Sequence, residues 1–88
     1  MVHTFVRLKV DDYSKWRTTY DESISVREKA GCISGSVFRS SNDPFEVFLL
    51  LKWDELERVR QFATSPHLQE IMKRTGVTEN ETYFMSEV

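Results

Sequence analysis

Residues 45–53, Phe-Glu-Val-Phe-Leu-Leu-Leu-Lys-Trp, restrict the fold more than any other stretch. Read with period-two alternation, Phe45, Val47, Leu49, Leu51 and Trp53 share one face, and Glu46, Phe48, Leu50 and Lys52 share the other. The middle of the strand is apolar on both sides, so both faces require cover. A chain of 88 residues builds only a modest core. The second cover is therefore expected from a partner chain.

The strand runs directly into helical signals. Asp54 is placed to cap a helix, with Glu57 three residues on completing an acidic variant of the capping box. Leu56, Val59 and Ala63 supply its inner stripe, and Phe62 lies at the margin. Ser65-Pro66 breaks and restarts this helix, Ser as cap and Pro at the first helical position, and Leu68, Ile71, Met72 and Thr75 form a new stripe up to Gly76.

Upstream, residues 2–10 alternate, with Val2, Thr4, Val6, Leu8 and Val10 on one face and His3, Phe5, Arg7 and Lys9 on the other. Asp11 or Asp12 can cap a helix over roughly residues 12–30, whose stripe is Tyr13, Trp16, Tyr20 and Ile24 and whose stop is Gly31. A second strand over 32–40 is expected to form a hairpin with 45–53 through the turn residues Ser40-Ser41-Asn42-Asp43-Pro44. After a polar loop at 78–81, residues 83–88 alternate as a last strand.

The resulting order is strand, helix, strand, strand, helix, strand. This is the α+β, ferredoxin-like βαββαβ arrangement, a four-stranded antiparallel sheet with two helices on one face. No linker interrupts it, so 1–88 is read as one domain. The helix-free face would carry Phe48, Leu50 and Phe5, and a second copy of the sheet packed through a two-fold axis is its simplest cover. A homodimer through the sheet face is thus expected, with His3 contributing polarity to that interface.

Composition removes several function classes. Twelve basic and 14 acidic residues nearly cancel, to a formal charge of −2, without long runs of either sign. Neither a nucleic-acid footprint nor a polybasic membrane anchor is expected. Cys32 is the only cysteine, which rules out an intrachain disulfide and a thiol-rich metal site. The start of the chain lacks the apolar core of a signal peptide and no apolar run reaches membrane-span length, so a cytoplasmic protein is expected. There is no glycine-rich phosphate loop, paired histidine or clustered carboxylate motif; no metal or cofactor is expected.

Several segments carry a family resemblance: Phe38-Arg39-Ser40 before the Asn-Asp-Pro turn, Glu46-Val47-Phe48 in a strand ending at Trp53-Asp54, and Phe62-Ala63-Thr64-Ser65-Pro66-His67-Leu68. With the chain length and element order, they resemble the dimeric α+β barrel superfamily, and within it the antibiotic-biosynthesis-monooxygenase-like proteins and small uncharacterised cyclase-like proteins. The resemblance implies two four-stranded sheets forming a barrel across a dimer, with a ligand pocket between each sheet and its helices. It specifies a reaction poorly, since relatives include cofactor-free oxygenases, haem-degrading enzymes and isomerases. Haem-degrading relatives use an asparagine on strand one, a tryptophan near the end of helix two and a histidine after the break. Here strand one has no asparagine, the tryptophan position falls at Phe62 and the histidine position falls near Met72, with His67 several residues too early. The resemblance therefore points away from haem degradation.

Candidate chemistry is concentrated on the inner stripes. Tyr13, Trp16 and Tyr20 are either core or the wall of a pocket for a small hydrophobic or aromatic ligand. Arg27 continues the stripe; it can clamp a carboxylate or enolate, or instead pair with a glutamate or snorkel to water. His67, at the second helical position after Ser65, is placed as a base or as a surface residue at the stripe's edge. Tyr20 is the alternative base, and Trp53 a wall residue explained equally by packing. The leading expectation is a cofactor-independent monooxygenase acting on a small aromatic or polyketide-like molecule, with His67 or Tyr20 as base and Arg27 as anion stabiliser. An isomerase or cyclase using the same pocket, or a non-enzymatic ligand-binding or accessory module, are the alternatives.

Overall fold

The computed structural model describes residues 2–88. Along it the chain forms β1 (Val2–Val10), α1 (Tyr13–Glu22), α2 (Ile24–Lys29), β2 (Cys32–Arg39), β3 (Glu46–Trp53), α3 (Leu56–Ala63), α4 (Pro66–Arg74) and β4 (Val77–Ser86). The sheet is antiparallel with spatial order β2-β3-β1-β4. Its architecture is the expected ferredoxin-like one, with each anticipated helix divided in two.

The alternation predicted for the central strands holds from Glu46 to Trp53 and along β1, whereas Phe45 precedes β3 and is exposed. Val47, Leu49, Leu51 and Trp53 are buried beneath the helices together with Thr4, Leu8 and Val10. The Trp53 indole N–H donates to Thr4 Oγ1 at 3.0 Å, and both side chains are almost fully buried. An indole N–H buried without a partner would be costly, so this bond ties the inner faces of β1 and β3 together. Phe62 of α3 packs on the same indole with ring centroids 5.4 Å apart.

Both helical breaks have local causes. At Ser65 the hydroxyl accepts the Leu68 N–H at 3.2 Å and Pro66 occupies the first turn, as the sequence predicts. At Ser23 the break differs from the single helix expected over 12–30. The Ser23 hydroxyl donates back to the Thr19 carbonyl at 2.8 Å, a bond that competes with the helical ladder. The Tyr20 carbonyl then receives Arg27 Nη1 at 2.7 Å. A cationic side chain thereby caps the C-terminus of α1.

At two places tertiary contacts override local signals. Asp54 does not cap the second helical unit; Glu55 occupies the cap position and makes no side-chain cap bond. Asp54 is held elsewhere, its N–H donating to the Gly31 carbonyl at 3.0 Å and its carboxylate accepting Arg58 Nη1 at 2.6 Å. The final strand also begins at Val77 rather than 83, because β1 pairs with it from Val2↔Ser86 to Lys9↔Glu79. The segment read as a polar loop is an exposed edge strand, while 87–88 lie beyond it.

The Asp54–Gly31 contact has a counterpart. Asp11, which follows β1, donates its N–H to the Gly76 carbonyl at 3.0 Å. Each residue after a central strand thus clasps the glycine that precedes an edge strand in the other half of the chain. Gly31 (φ 105°) and Gly76 (φ 79°) are left-handed. A Cβ at either would fall 2.3 Å from Asp54 Oδ1 or 1.9 Å from Asp11 Oδ1.

The opposite sheet face has no helix. Phe5 stacks on Phe48 at 5.8 Å and leans on Tyr83 at 6.4 Å, while Phe38 and Leu50 remain exposed. Toward one end the face becomes charged: Arg7 pairs with Glu46 at 2.8 Å and lies 3.5 Å from both Glu79 and Glu81, and Lys9 pairs with Asp43.

Gly31→Ala and Gly76→Ala are each expected to lower unfolding free energy by about 1–3 kcal/mol. Urea denaturation checks this, with the exposed hairpin change Ser41→Ala as a control expected to stay within about 0.5 kcal/mol.

Candidate functional site

The inner faces of β1 and β3 form a floor between two helical arms, α1–α2 on one side and α3–α4 on the other. A cavity of about 160 Å³ lies between the arms. An apolar cavity of about 150 Å³ is enough to bind benzene, so this one, open at its rim, has room for an aromatic ring. Trp16 and Tyr20 form one wall, Phe62 and Met72 the facing wall, and Leu51 and Trp53 part of the floor.

Of the residues singled out from sequence, Trp16, Tyr20, Arg27, Trp53 and His67 all line this cavity. Tyr13 does not. Its ring packs 6.1 Å from that of Trp16 and lies beneath the Arg39 guanidinium at 4.2 Å, so it supports the wall from outside. Trp53 presents its ring only, since its N–H is taken by Thr4. His67 is exposed, at the rim.

Tyr20 and Arg27 act as one unit. The guanidinium carbon stands 3.7 Å from the Tyr20 ring centroid, a cation–π contact that reinforces the bond from Arg27 to the Tyr20 carbonyl. One N–H is committed there, and the fork geometry leaves others to meet an anion. Burial pushes the Tyr20 hydroxyl above the ordinary tyrosine range, and nearby Arg27 opposes that shift. At neutral pH this suits Tyr20 to donating a hydrogen bond rather than serving as a base. A Cβ at Gly35 would stand 2.9 Å from the Tyr20 hydroxyl and 2.7 Å from Leu51, so glycine there leaves room for the tyrosine tip.

Tyr20 and Arg27 also line a groove beside Cys32 and Val37. Burial pushes the Cys32 thiol up, while Arg27 and the Ser34 backbone oppose that shift. Among the described residues no cluster of three or more histidine, cysteine or acidic side chains is arranged to hold a metal, and no helix is long and apolar enough to cross a membrane.

Asn80 and Thr82 also line the cavity. The sequence reads as a polar loop at Asn80 and assigns Thr82 to no element. Their pairing with Leu8 and Val6 puts both on the helix-facing side of β4. The signal was the alternation of Asn80, Thr82 and Phe84 against Glu79, Glu81 and Tyr83, obscured because neither set is continuously apolar.

With fold and cavity in view, the comparisons are consistent. The sequence model of the antibiotic biosynthesis monooxygenase family matches residues 1–74. The chain belongs to this family. Among solved structures it is similar to SnoaB of Streptomyces nogalater, a cofactor-independent oxygenase, at 12% identity and TM-score 0.79, covering 99% of this chain and 92% of that one. A Bordetella bronchiseptica protein, a candidate antibiotic biosynthesis monooxygenase, is 17% identical with TM-score 0.79, covering 99% and 96%. Rv0793 of Mycobacterium tuberculosis is 19% identical with TM-score 0.73, covering 99% and 94%. These likenesses establish the fold. The comparison with curated proteins found no match.

Tyr20 also generates a pH dependence. Because its folded-state ionisation is displaced upward, the neutral hydroxyl contributes stability that is complete below about pH 10 and lost as pH rises through the folded value. The urea midpoint is expected to fall over this alkaline range. Tyr20→Phe should flatten that fall in part, leaving the shares of Tyr83, pushed up by its hydrogen bond to Glu81, of Lys9, pushed up by its bond to Asp43, and of Cys32, pushed up by burial.

Proposed function

We propose that this protein is a cofactor-independent oxygenase for a small aromatic substrate carrying an acidic hydroxyl or an activated ring carbon. The observation that carries the reading is an aromatic-walled cavity bordered by a pre-positioned guanidinium and a histidine. Its chemistry asks little of the protein. His67 accepts a substrate proton, Arg27 and the Tyr20 hydroxyl stabilise the resulting anion, and the walls limit water. The anion passes one electron to dioxygen, the radical pair joins in a C–O bond, and the resulting peroxide takes up the proton. Loss of water from that peroxide converts the ring CH₂ to C=O, with one oxygen atom in the product and the other in water.

The proposal includes a homodimer in a cytoplasmic setting. A second copy would cover Phe5, Phe38, Phe48 and Leu50 on the helix-free face. Sedimentation at micromolar concentration is expected to give a species of twice 10.4 kDa. Phe48→Glu should shift it to the monomer, and a wild-type monomer would refute the dimer.

For the reaction, oxygen uptake with anthrone- and quinol-type compounds is the assay. His67→Ala is expected to lower kcat/KM by about 10²–10⁴-fold, and Arg27→Ala by about 10²–10³-fold. Absence of uptake across the panel would remove the oxygenase reading. Product formation under anaerobic conditions would point instead to isomerisation or cyclisation in the same cavity.

A further inference from the structure

Some polar side chains lining the cavity are already committed; Thr19 and His67 on the helical arms and Asn80 and Thr82 on β4 are left without an ordinary hydrogen-bond partner among the described residues. Thr4 accepts the Trp53 N–H, Ser23 donates to the Thr19 carbonyl, and Thr75 donates to the Ile71 carbonyl at 2.7 Å. Asn80 has only a 4.0 Å contact from its amide nitrogen to Met72 Sδ, far weaker than an ordinary hydrogen bond. Thr82 has no side-chain partner among the described residues. Both are exposed in the isolated chain and point from β4 to the helix side of the sheet.

Their position relative to Arg27 gives the cavity two chemically distinct ends. Arg27 stacks on Tyr20, whose hydroxyl stands over Gly35 of β2. Asn80 and Thr82 belong to β4, the opposite edge of the sheet. Three strand spacings, about 14 Å, separate these edges. The space between is floored by apolar β1 and β3 side chains. One end is cationic, and the other is neutral and able both to donate and to accept.

We infer that Asn80 and Thr82 determine specificity by binding a neutral oxygen, hydroxyl or carbonyl, at the end of the ligand remote from an anionic oxygen held by Arg27. The inference rests on the proposed reading of the cavity as an aromatic-anion site, and it specifies the ligand as elongated, flat and oxygenated at both ends. A neutral amide suits this end because it serves a hydroxyl or a carbonyl equally. A ligand lacking the distal oxygen leaves no buried group unpaired, so discrimination should be modest.

Two redox-stable probes test it: 2-naphthoate, with an anion at one end only, and 6-hydroxy-2-naphthoate, which adds the distal hydroxyl. By calorimetry the wild-type protein is expected to bind the hydroxylated acid about tenfold more tightly, the effect of one good hydrogen bond. Asn80→Leu should reduce that ratio to about twofold or less while leaving 2-naphthoate affinity nearly unchanged. The double variant Asn80→Leu/Thr82→Val should abolish it, whereas Arg27→Ala should weaken both acids. Unaltered thermal melting of the β4 variants establishes that they fold. A tenfold ratio that survives in the double variant, or equal wild-type affinities, overturns the inference while leaving the aromatic-anion reading standing. Failure of both acids to bind the wild-type protein overturns that reading and the inference with it.

Discussion

The buried hydrogen bond from Trp53 to Thr4 is the interaction on which the rest of the structure depends. A tryptophan at the end of a central strand offers more apolar surface than any other residue of the core, but its N–H must find a partner inside. Thr4 meets that need from the neighbouring strand, and its own hydroxyl would otherwise be a buried liability. Satisfying both groups disfavours any slip of β1 against β3, since a one-residue shift would turn Thr4 to the other face. Phe62 then seats on the indole and sets where α3 lies. The next residue, Asp54, is thereby delivered to Gly31, so one indole links the sheet register, the helix position and the clasp between the halves.

The same arrangement opens the cavity. Each helical unit bends at a serine, one by back-bonding at Ser23 and the other by restarting at Ser65, and the two arms stand over different parts of the sheet. Arg27 owes its place to the first bend, because the Tyr20 carbonyl it caps lies at the end of the interrupted helix. A guanidinium already fixed by that carbonyl and by the Tyr20 ring loses little freedom when a ligand arrives. Structural capping would therefore not compete with anion binding at Arg27; it would pre-organise it.

What could be read from sequence was whatever local patterning controls. Alternation in 2–10 and 45–53, the Asp12 cap, whose side chain accepts the Lys15 N–H at 3.1 Å, and the Ser65-Pro66 restart are all short-range signals. Asp54 looked like a cap for equally local reasons, yet a residue 23 positions earlier claims its N–H. The length of β4 depends on β1 as template, since its own residues are too polar to announce a strand. The candidate site divides similarly. Trp16, Tyr20 and Arg27 are legible because helical spacing aligns them, and His67 because it follows the Ser65-Pro66 restart, whereas Tyr13 shares the stripe but sits beyond the wall. Asn80 and Thr82 needed the strand register.

Strand β3 finally couples the two faces that give this chain its properties. Val47, Leu49 and Leu51 lie beneath the helices and Phe48 and Leu50 project the other way, separated by one residue each. A strand cannot shift to relieve crowding on one face without moving the other. Packing on the helix-free side would thus stiffen the floor of the cavity on the other, because Phe48 and Leu50 share one strand with Leu51 and Trp53. The two-faced strand is both the strongest constraint on the fold and the physical route by which a partner subunit would influence the site.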